Sequence, residues 1–319
     1  MYLFLNELSV PVGSIHFEDA KRVFKAFVAT VRAVRNAAPS AALFAHQNIR
    51  NLSIGRSYNV AFLRNLPDCK EESQYLSRLQ DRAPMSLSLA EVRDCCHEMV
   101  QYFYPIDFEG NPSAVEVEGL GLAHFFDGAA VSFNSDSMWS REMIPLVLHS
   151  MQPDSSILES EVSARNFSSA GHVSTRSEWL SSFQISNRVA DGAELWARRE
   201  ELFPYLEFIP RTKSQVSGMK VGEHLFLQAH SHLEKLNEAI REWDPTTMFA
   251  PEFPFQVRPE SQSRINDGLV DFSERDGSVS TFSEHIYLAP PPHRLHFLIK
   301  AAPRKVAVIG HLGRKLGIG

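Results

Sequence analysis

Apolar positions along this chain change their period several times, and each change predicts an element. Residues 2–8 open as a short apolar segment suited to a strand. From Phe17 onward Val23, Phe24, Phe27, Val28, Val31 and Val34 recur at helical steps, with Lys21, Arg22, Lys25, Arg32 and Arg35 on the opposite side. This spacing predicts an amphipathic helix, ended by Asn36 and Pro39. Further helices are expected over 71–80 and 89–103. In the second of these, Ser88 and Glu91 have the spacing of a capping box, and Pro105 stops the run.

The middle of the chain alternates differently. Val115 and Val117, then residues 130–133, step at the strand period with glycines between them, which predicts short strands joined by tight turns. Gly119-Leu120-Gly121 reads as one such turn, because it lacks the third glycine of a dinucleotide fingerprint. A strand is expected at 146–148, bounded by Pro145. The serine-rich stretch 153–171 predicts a long loop. Placing a boundary within 155–169 divides the chain into an N-terminal region, 1–155, and a C-terminal region, 170–319. Residues 178–183 and 192–203 read as helices. The strongest helix spans 220–243, where Leu225, Ala229, His232, Leu233, Leu236, Ala239, Ile240 and Trp243 form one stripe. A proline-rich connector, an edge hairpin around Asp276-Gly277 and a terminal hairpin follow. The expected class is α+β, with a helical N-terminal part, a mixed middle and a C-terminal antiparallel sheet.

Composition narrows the function. The 319 residues are 44% hydrophobic and 22% charged with a net charge of −6, so the whole molecule is not a polyanion binder. Basic residues concentrate at the end. Arg294, Lys300, Arg304, Lys305, Arg314 and Lys315 occur between 292 and 319 with no acidic residue among them. Three cysteines, Cys69, Cys95 and Cys96, do not make a disulfide framework. The first residues lack a secretory signal pattern, and no apolar run suits a membrane span. A cytoplasmic protein without membrane contact is expected.

The candidate chemistry lies in the terminal hairpin. Alternation puts Leu295, Phe297 and Ile299 on one face and Arg294, His296, Leu298 and Lys300 on the other. On the second strand Val306, Val308 and Leu312 oppose Lys305, Ala307, Ile309 and His311. With 301–304 as the loop, Phe297 pairs with Val308 and Arg294 with His311. Arg294, His296 and His311 then share an exposed face. A guanidinium to hold phosphate and two imidazoles to move protons suit phosphodiester cleavage without a metal. Arg304, Lys305, Arg314 and Lys315 are assigned to a nucleic-acid backbone. The plainer alternative is a solvated polar sheet face. No cofactor and no resident metal are expected.

Other clusters are weaker. Cys95, Cys96, His97 and Glu98 are contiguous on an expected helix and splay apart, so they cannot converge on one ion. His224, His230 and His232 share a helix, but no partner four residues on is assigned to any of them, so zinc ligation there is weak. Asp154 with Glu159 and Glu161, or Asp244 with Glu252 and Glu260, could serve as magnesium ligands, although neither set has the acid-x-lysine pair of restriction-type nucleases.

The ending RLHFLIKAAPRKVAVIGHLGRKLG resembles the last two strands of RelE-type ribonuclease toxins. That resemblance implies Arg294 as the strand arginine of an RNA-cleaving site, with Arg314 and Lys315 as its closing basic pair. The toxins are small single domains, so it covers only the end of this chain. LFLNELS, GLGLAHFFDGAAVSFNSDSMW and the terminal strands also resemble bacterial proteins associated with phage-defence loci. Together these imply an antiphage or toxin-type protein acting as an RNA-cleaving effector, with RNA preferred over DNA and protein partners from the same operon. The alternative is a non-catalytic subunit or nucleic-acid recognition protein of a multi-protein defence complex. A third reading is a metal-dependent DNase.

Overall fold

The computed structural model describes residues 1–39, 41–45, 48–82, 100–108, 111–151, 156–181, 189–220, 223–288 and 292–317. The fold is α+β and divides into two compact units, Met1–Gln184 and Ile185–Gly319.

In the first unit, β1 (Tyr2–Leu5), β2 (Ala42–Phe44), β3 (Val100–Phe108), β4 (Asn111–Glu116), β5 (Ala129–Val131), β6 (Met143–Met151) and β7 (Ile157–Phe167) form one mixed sheet in the order β2-β1-β5-β7-β6-β3-β4. The β2-β1-β5-β7 part is parallel and the remainder antiparallel. Helix α1 (Phe17–Ala37) carries the chain from β1 to β2, as its periodicity predicts. It buries Phe24, Phe27, Val28, Val31 and Val34 with Leu3, Leu5, Val131 and Phe133, and the Phe27 and Phe133 rings stack with centroids 4.2 Å apart. The other face of β1 presents Tyr2 and Phe4 to Phe44 and Phe126. Both faces being covered explains why the strand is apolar throughout rather than alternating.

Helix α2 (Lys70–Arg82) lies where expected. Three expectations in this unit are corrected. The GLGLAHF segment is helix α3 (Gly119–Phe125), not a turn. Its glycines serve close approach: a Cβ on Gly119 would lie 2.0 Å from the Leu5 carbonyl oxygen, and one on Gly121 would lie 2.6 Å from the Tyr102 ring. Residues 100–103, expected to end a helix, begin β3; the rest of that stretch, with Cys95, Cys96, His97 and Glu98, lies outside the described residues. Much of the expected serine-rich loop is β7, and Pro145 sits inside β6 opposite Ser163. β3 pairs with β6 only from Val147 to Ser150, so at Pro145 the missing N–H breaks no ladder bond on that side. The division between units accordingly falls after Gln184, beyond the strand that occupies the expected boundary.

The second unit contains a five-stranded sheet of β8 (Leu206–Phe208), β9 (Arg258–Pro259), β12 (Glu284–Leu288), β13 (His293–Lys300) and β14 (Val306–Arg314), in the order β8-β14-β13-β12-β9. A small separate hairpin, β10 (Asp271–Ser273) with β11 (Val279–Thr281), forms around Asp276-Gly277 as expected. Helices α4 (Gly192–Leu202), α5 (Thr212–Ser217) and α6 (His224–Glu242) complete it, together with the short α7 (Gln262–Asn266). One sheet face, with Ile286, Leu288, Leu295, Phe297, Ala307, Ile309 and Leu312, shares a core with Phe226, Ala229, Leu233, Leu236 and Ile240 of α6. On the opposite face Val306, Val308 and Leu298 pack with Phe272 and Phe282, contributed by the excursion between β9 and β12. No helix among the described residues is long and apolar enough to cross a membrane.

Candidate metal centre

The three central strands of the second sheet set one histidine beside another. His285 on β12 is the direct partner of His296 on β13, and His296 is the direct partner of His311 on β14. Their ring centroids are 5.2 and 5.9 Å apart, and all three side chains are buried. Two positions before His296, Arg294 faces the same way and lies opposite Tyr287.

The register differs from the one expected. Lys300 pairs with Val306, so the connection is 301–305; Phe297 faces Ile309 and Arg294 faces Gly313. Both faces of β14 are apolar, so either alternation fills the α6 side and the pattern alone cannot choose between them. The extra residue is taken up by a bulge between His296 and Phe297, where Gly310 is skipped on the partner strand. A Cβ on Gly310 would meet the Phe282 ring at 2.3 Å, which explains glycine at this position. The bulge restores His311 to the face of His296, so Arg294, His296 and His311 do share a face. That face is not exposed: Arg294 is 2%, His296 0% and His311 3% accessible, beneath the β9–β12 excursion.

That excursion supplies the carboxylate. Glu260, at the end of β9, accepts from Arg294 Nη1 at 2.5 Å through Oε2 and pairs with Arg264 Nε at 3.1 Å through Oε1. Its backbone N–H donates to the Ser283 carbonyl, pinning it against the start of β12. Burial pushes the Glu260 carboxyl up, but Arg294 and Arg264 outweigh it and hold the group below its ordinary value. Arg294 Nη2 also reaches the Tyr287 hydroxyl at 3.3 Å.

Hydrogen bonds fix two of the rings. His296 Nδ1 donates to the Phe282 carbonyl at 3.1 Å, which leaves Nε2 as a lone pair. That lone pair faces Glu260 Oε2 across 4.0 Å, acceptor against acceptor, and Nε2 has no hydrogen-bond partner. Neither nitrogen of His285 makes a well-formed hydrogen bond either, although the ring lies close enough to the Ser283 backbone to interact with it. By contrast His311 is fully used: Gln215 Nε2 donates to its Nδ1 at 2.9 Å, and its Nε2 donates to the Arg314 carbonyl at 2.8 Å. Gln215 is itself oriented, since its Oε1 accepts from the Leu312 N–H. Burial lowers all three imidazoles: His285 well below the usual range, His296 to about 3 and His311 to about 4. All three are neutral near pH 7.

Glu260, His285 and His296 each offer one ligand atom, all within 4.8 Å of one another, and form the one such cluster among the described residues. A tetrahedral zinc with bonds of about 2.1 Å holds its ligand atoms about 3.4 Å apart, so small side-chain rotations close this set around an ion. A histidine whose second nitrogen donates to a backbone carbonyl is the usual support for a metal ligand, and His296 has it. Two imidazoles and a carboxylate suit zinc, cobalt, nickel or iron in the divalent state.

The remaining sequence candidates do not gather here. Arg304 pairs with Glu207, and Lys305 Nζ donates to the Arg241 and Trp243 carbonyls at the end of α6. Arg314 is exposed and Lys315 buried at the far end of β14, about 25 Å away at 3.3 Å per residue. The four therefore do not form one local basic patch. Against expectation His230 has a partner four residues on, Glu234 at 3.7 Å, while His232 packs edge-on to Phe255. Glu159 faces His149, and Asp244 accepts from Thr246; Asp154 lies outside the described residues. Glu260 alone of the weighed carboxylates enters a buried cluster. His285 is the residue the sequence reading missed, and its signal was its place two residues before Tyr287, on the same face of β12 in the alternation.

In the first unit, the carboxyl ends of the parallel strands, where α/β sheets often bind ligands, are filled from within. Asn6 donates to Ser132, Ser132 donates to Asn166, and the Glu7 carboxylate accepts the Glu118 and Gly119 N–H groups at the start of α3. The fold and site thus define an α+β protein of two units, one carrying a buried His-His-Glu cluster. No protein family matches the chain, and comparison with curated proteins and with solved structures gave no match.

Proposed function

We propose that the C-terminal unit is a metal-binding unit, holding a divalent transition metal, zinc in the first place, on Glu260, His285 and His296. The observation that carries this reading is the His296 Nε2 lone pair turned on the Glu260 carboxylate at 4.0 Å, acceptor facing acceptor. A buried acceptor pair of this kind is unfavourable by itself and becomes favourable with a cation placed between. His285, whose ring makes no well-formed hydrogen bond and lies by the Ser283 backbone, completes the set. Arg264 and Arg294 orient the carboxylate, and His311 buttresses His296 from the next strand.

Equilibrium dialysis against zinc followed by metal analysis tests the assignment. The wild-type protein is expected to retain one zinc per chain and the His285→Ala/His296→Ala variant none. Equal zinc in both proteins, or none in the wild type, would refute it.

An RNA-directed role in a defence or toxin setting fits this unit best as chemistry at the ion. Arg294, a guanidinium beside the metal carboxylate, is what favours keeping that reading. It predicts RNA cleavage by zinc-loaded protein that is lost on chelation. Cleavage by metal-free protein that depends on His311 would favour the proton-transfer pair His296 and His311 instead.

A further inference from the structure

Within the second unit, a cavity of about 190 Å³ opens between the sheet and the β10–β11 turn. Its apolar lining is Phe208, Ile209 and Val308, from β8, its end and β14, and every other lining residue is charged: Glu207, Lys300, Glu274, Arg275 and Asp276. The volume is below the roughly 300–1,000 Å³ of sites for drug-sized ligands, which suits an occupant the size of one amino acid. The charges are paired but not used up. Glu274 accepts from Lys300 Nζ and from Ser280 Oγ, both at 2.5 Å. An ammonium has three N–H donors, and Lys300 spends one there. Arg275 donates its Nε–H to the Phe208 carbonyl at 3.1 Å. Its Nη2 lies 3.7 Å from Glu200 Oε1, out of hydrogen-bond reach, and that oxygen already accepts from Arg199. The outer fork of the Arg275 guanidinium is therefore open. On the acidic side, Glu207 accepts from Arg304 through Oε1 and Asp276 accepts twice from Ser278 through Oδ1, so each keeps a second oxygen.

We infer that this cavity binds a small zwitterion, an α-amino acid, with its carboxylate on Arg275 and Lys300 and its ammonium on Glu207 and Asp276. The planar fork of a guanidinium matches the two oxygens of a carboxylate, and an ammonium adds a point charge beside it. With Arg304, the lining brings three carboxylates together with three cations, and the outer pair Glu200 and Arg199 keeps that balance. A ligand of net charge would upset the balance, and a zwitterion leaves it as it is. Phe208, Ile209 and Val308 remain for the ligand side chain, which favours an aliphatic one. The inference stands apart from the metal reading, because Glu260, His285 and His296 do not line the cavity.

Saturation-transfer NMR on the full chain tests this with L-alanine and L-leucine, and with propionate and ethylamine, which each carry one of the two charges. The expected result is saturable binding of an amino acid, with propionate and ethylamine at least about tenfold weaker. Arg275→Gln and Glu207→Gln should each weaken the amino acid at least about tenfold while the melting temperature holds. Arg275→Lys, which keeps the charge and loses the fork, should fall between wild type and Arg275→Gln. No response to either amino acid would overturn the inference. Propionate or ethylamine binding as tightly as the amino acids would overturn it too, since a single charge would then suffice. So would amino-acid binding unchanged in both Gln variants, which would place the ligand elsewhere on the chain.

Discussion

Glu260 and Arg294 carry opposite charges at a depth where neither is tolerated alone. Replacing Glu260 with Gln keeps the shape and removes the negative partner, so urea unfolding of metal-free protein should show a loss of about 3–5 kcal/mol. The double variant Glu260→Gln/Arg294→Met, which removes both charges, should recover a substantial part of it; a single-variant loss below about 1 kcal/mol would place these charges in far better solvation than their burial indicates. Alternation alone placed Arg294, His296 and His311 on one face, and that grouping holds. Their burial was not readable, because alternation says which side chains share a face and not what covers it. Glu260 entered the sequence reading only as one carboxylate among several; Arg264 is four residues on, but Arg294 and His296 are 34 and 36 residues away, reached by the fold rather than by spacing.

At the scale of elements, the β13–β14 bulge sets the line of histidines. Gly310→Ala would press a methyl group into the Phe282 ring, whose carbonyl orients His296. A loss of about 1–3 kcal/mol is expected, with weakened contacts between the His296 and His311 rings in NMR spectra. A neutral effect on both would show that the bulge is not held by the ring. The helices were the most readable elements, since α1, α2 and α6 each display one apolar stripe. The failures have local causes. Gly119 and Gly121 resemble turn residues but permit packing on Leu5 and Tyr102. β7 is largely exposed along its first half, so no buried face imposes the apolar alternation by which a strand is recognised.

Across the molecule, five imidazoles held down by burial make stability depend on pH, His230 and His232 on α6 and three on the sheet. His285, His296 and His311 all titrate below 6.5, the ordinary value, when folded. The unfolded chain therefore binds more protons than the folded one between about pH 6.5 and 4, and each fully offset histidine contributes up to about 1.4 kcal/mol per pH unit. Their stabilising contribution is complete above pH 6.5 and is lost as pH falls. The melting temperature of metal-free protein should thus drop on going from pH 7.5 to 5, with a shallower slope in His311→Gln. A flat profile over that range would mean the rings are hydrated rather than buried. The two-unit division was visible from sequence only as a loss of regular pattern, and β7 occupies the place where that loss begins.

X-ray absorption at the zinc edge examines the buried cluster directly. Protein loaded with one zinc should show two imidazole nitrogens and one carboxylate oxygen at about 2.0–2.2 Å, with the imidazole signal reduced in His285→Ala. A first shell without imidazole, or one unchanged by His285→Ala, would contradict a metal centre at Glu260, His285 and His296.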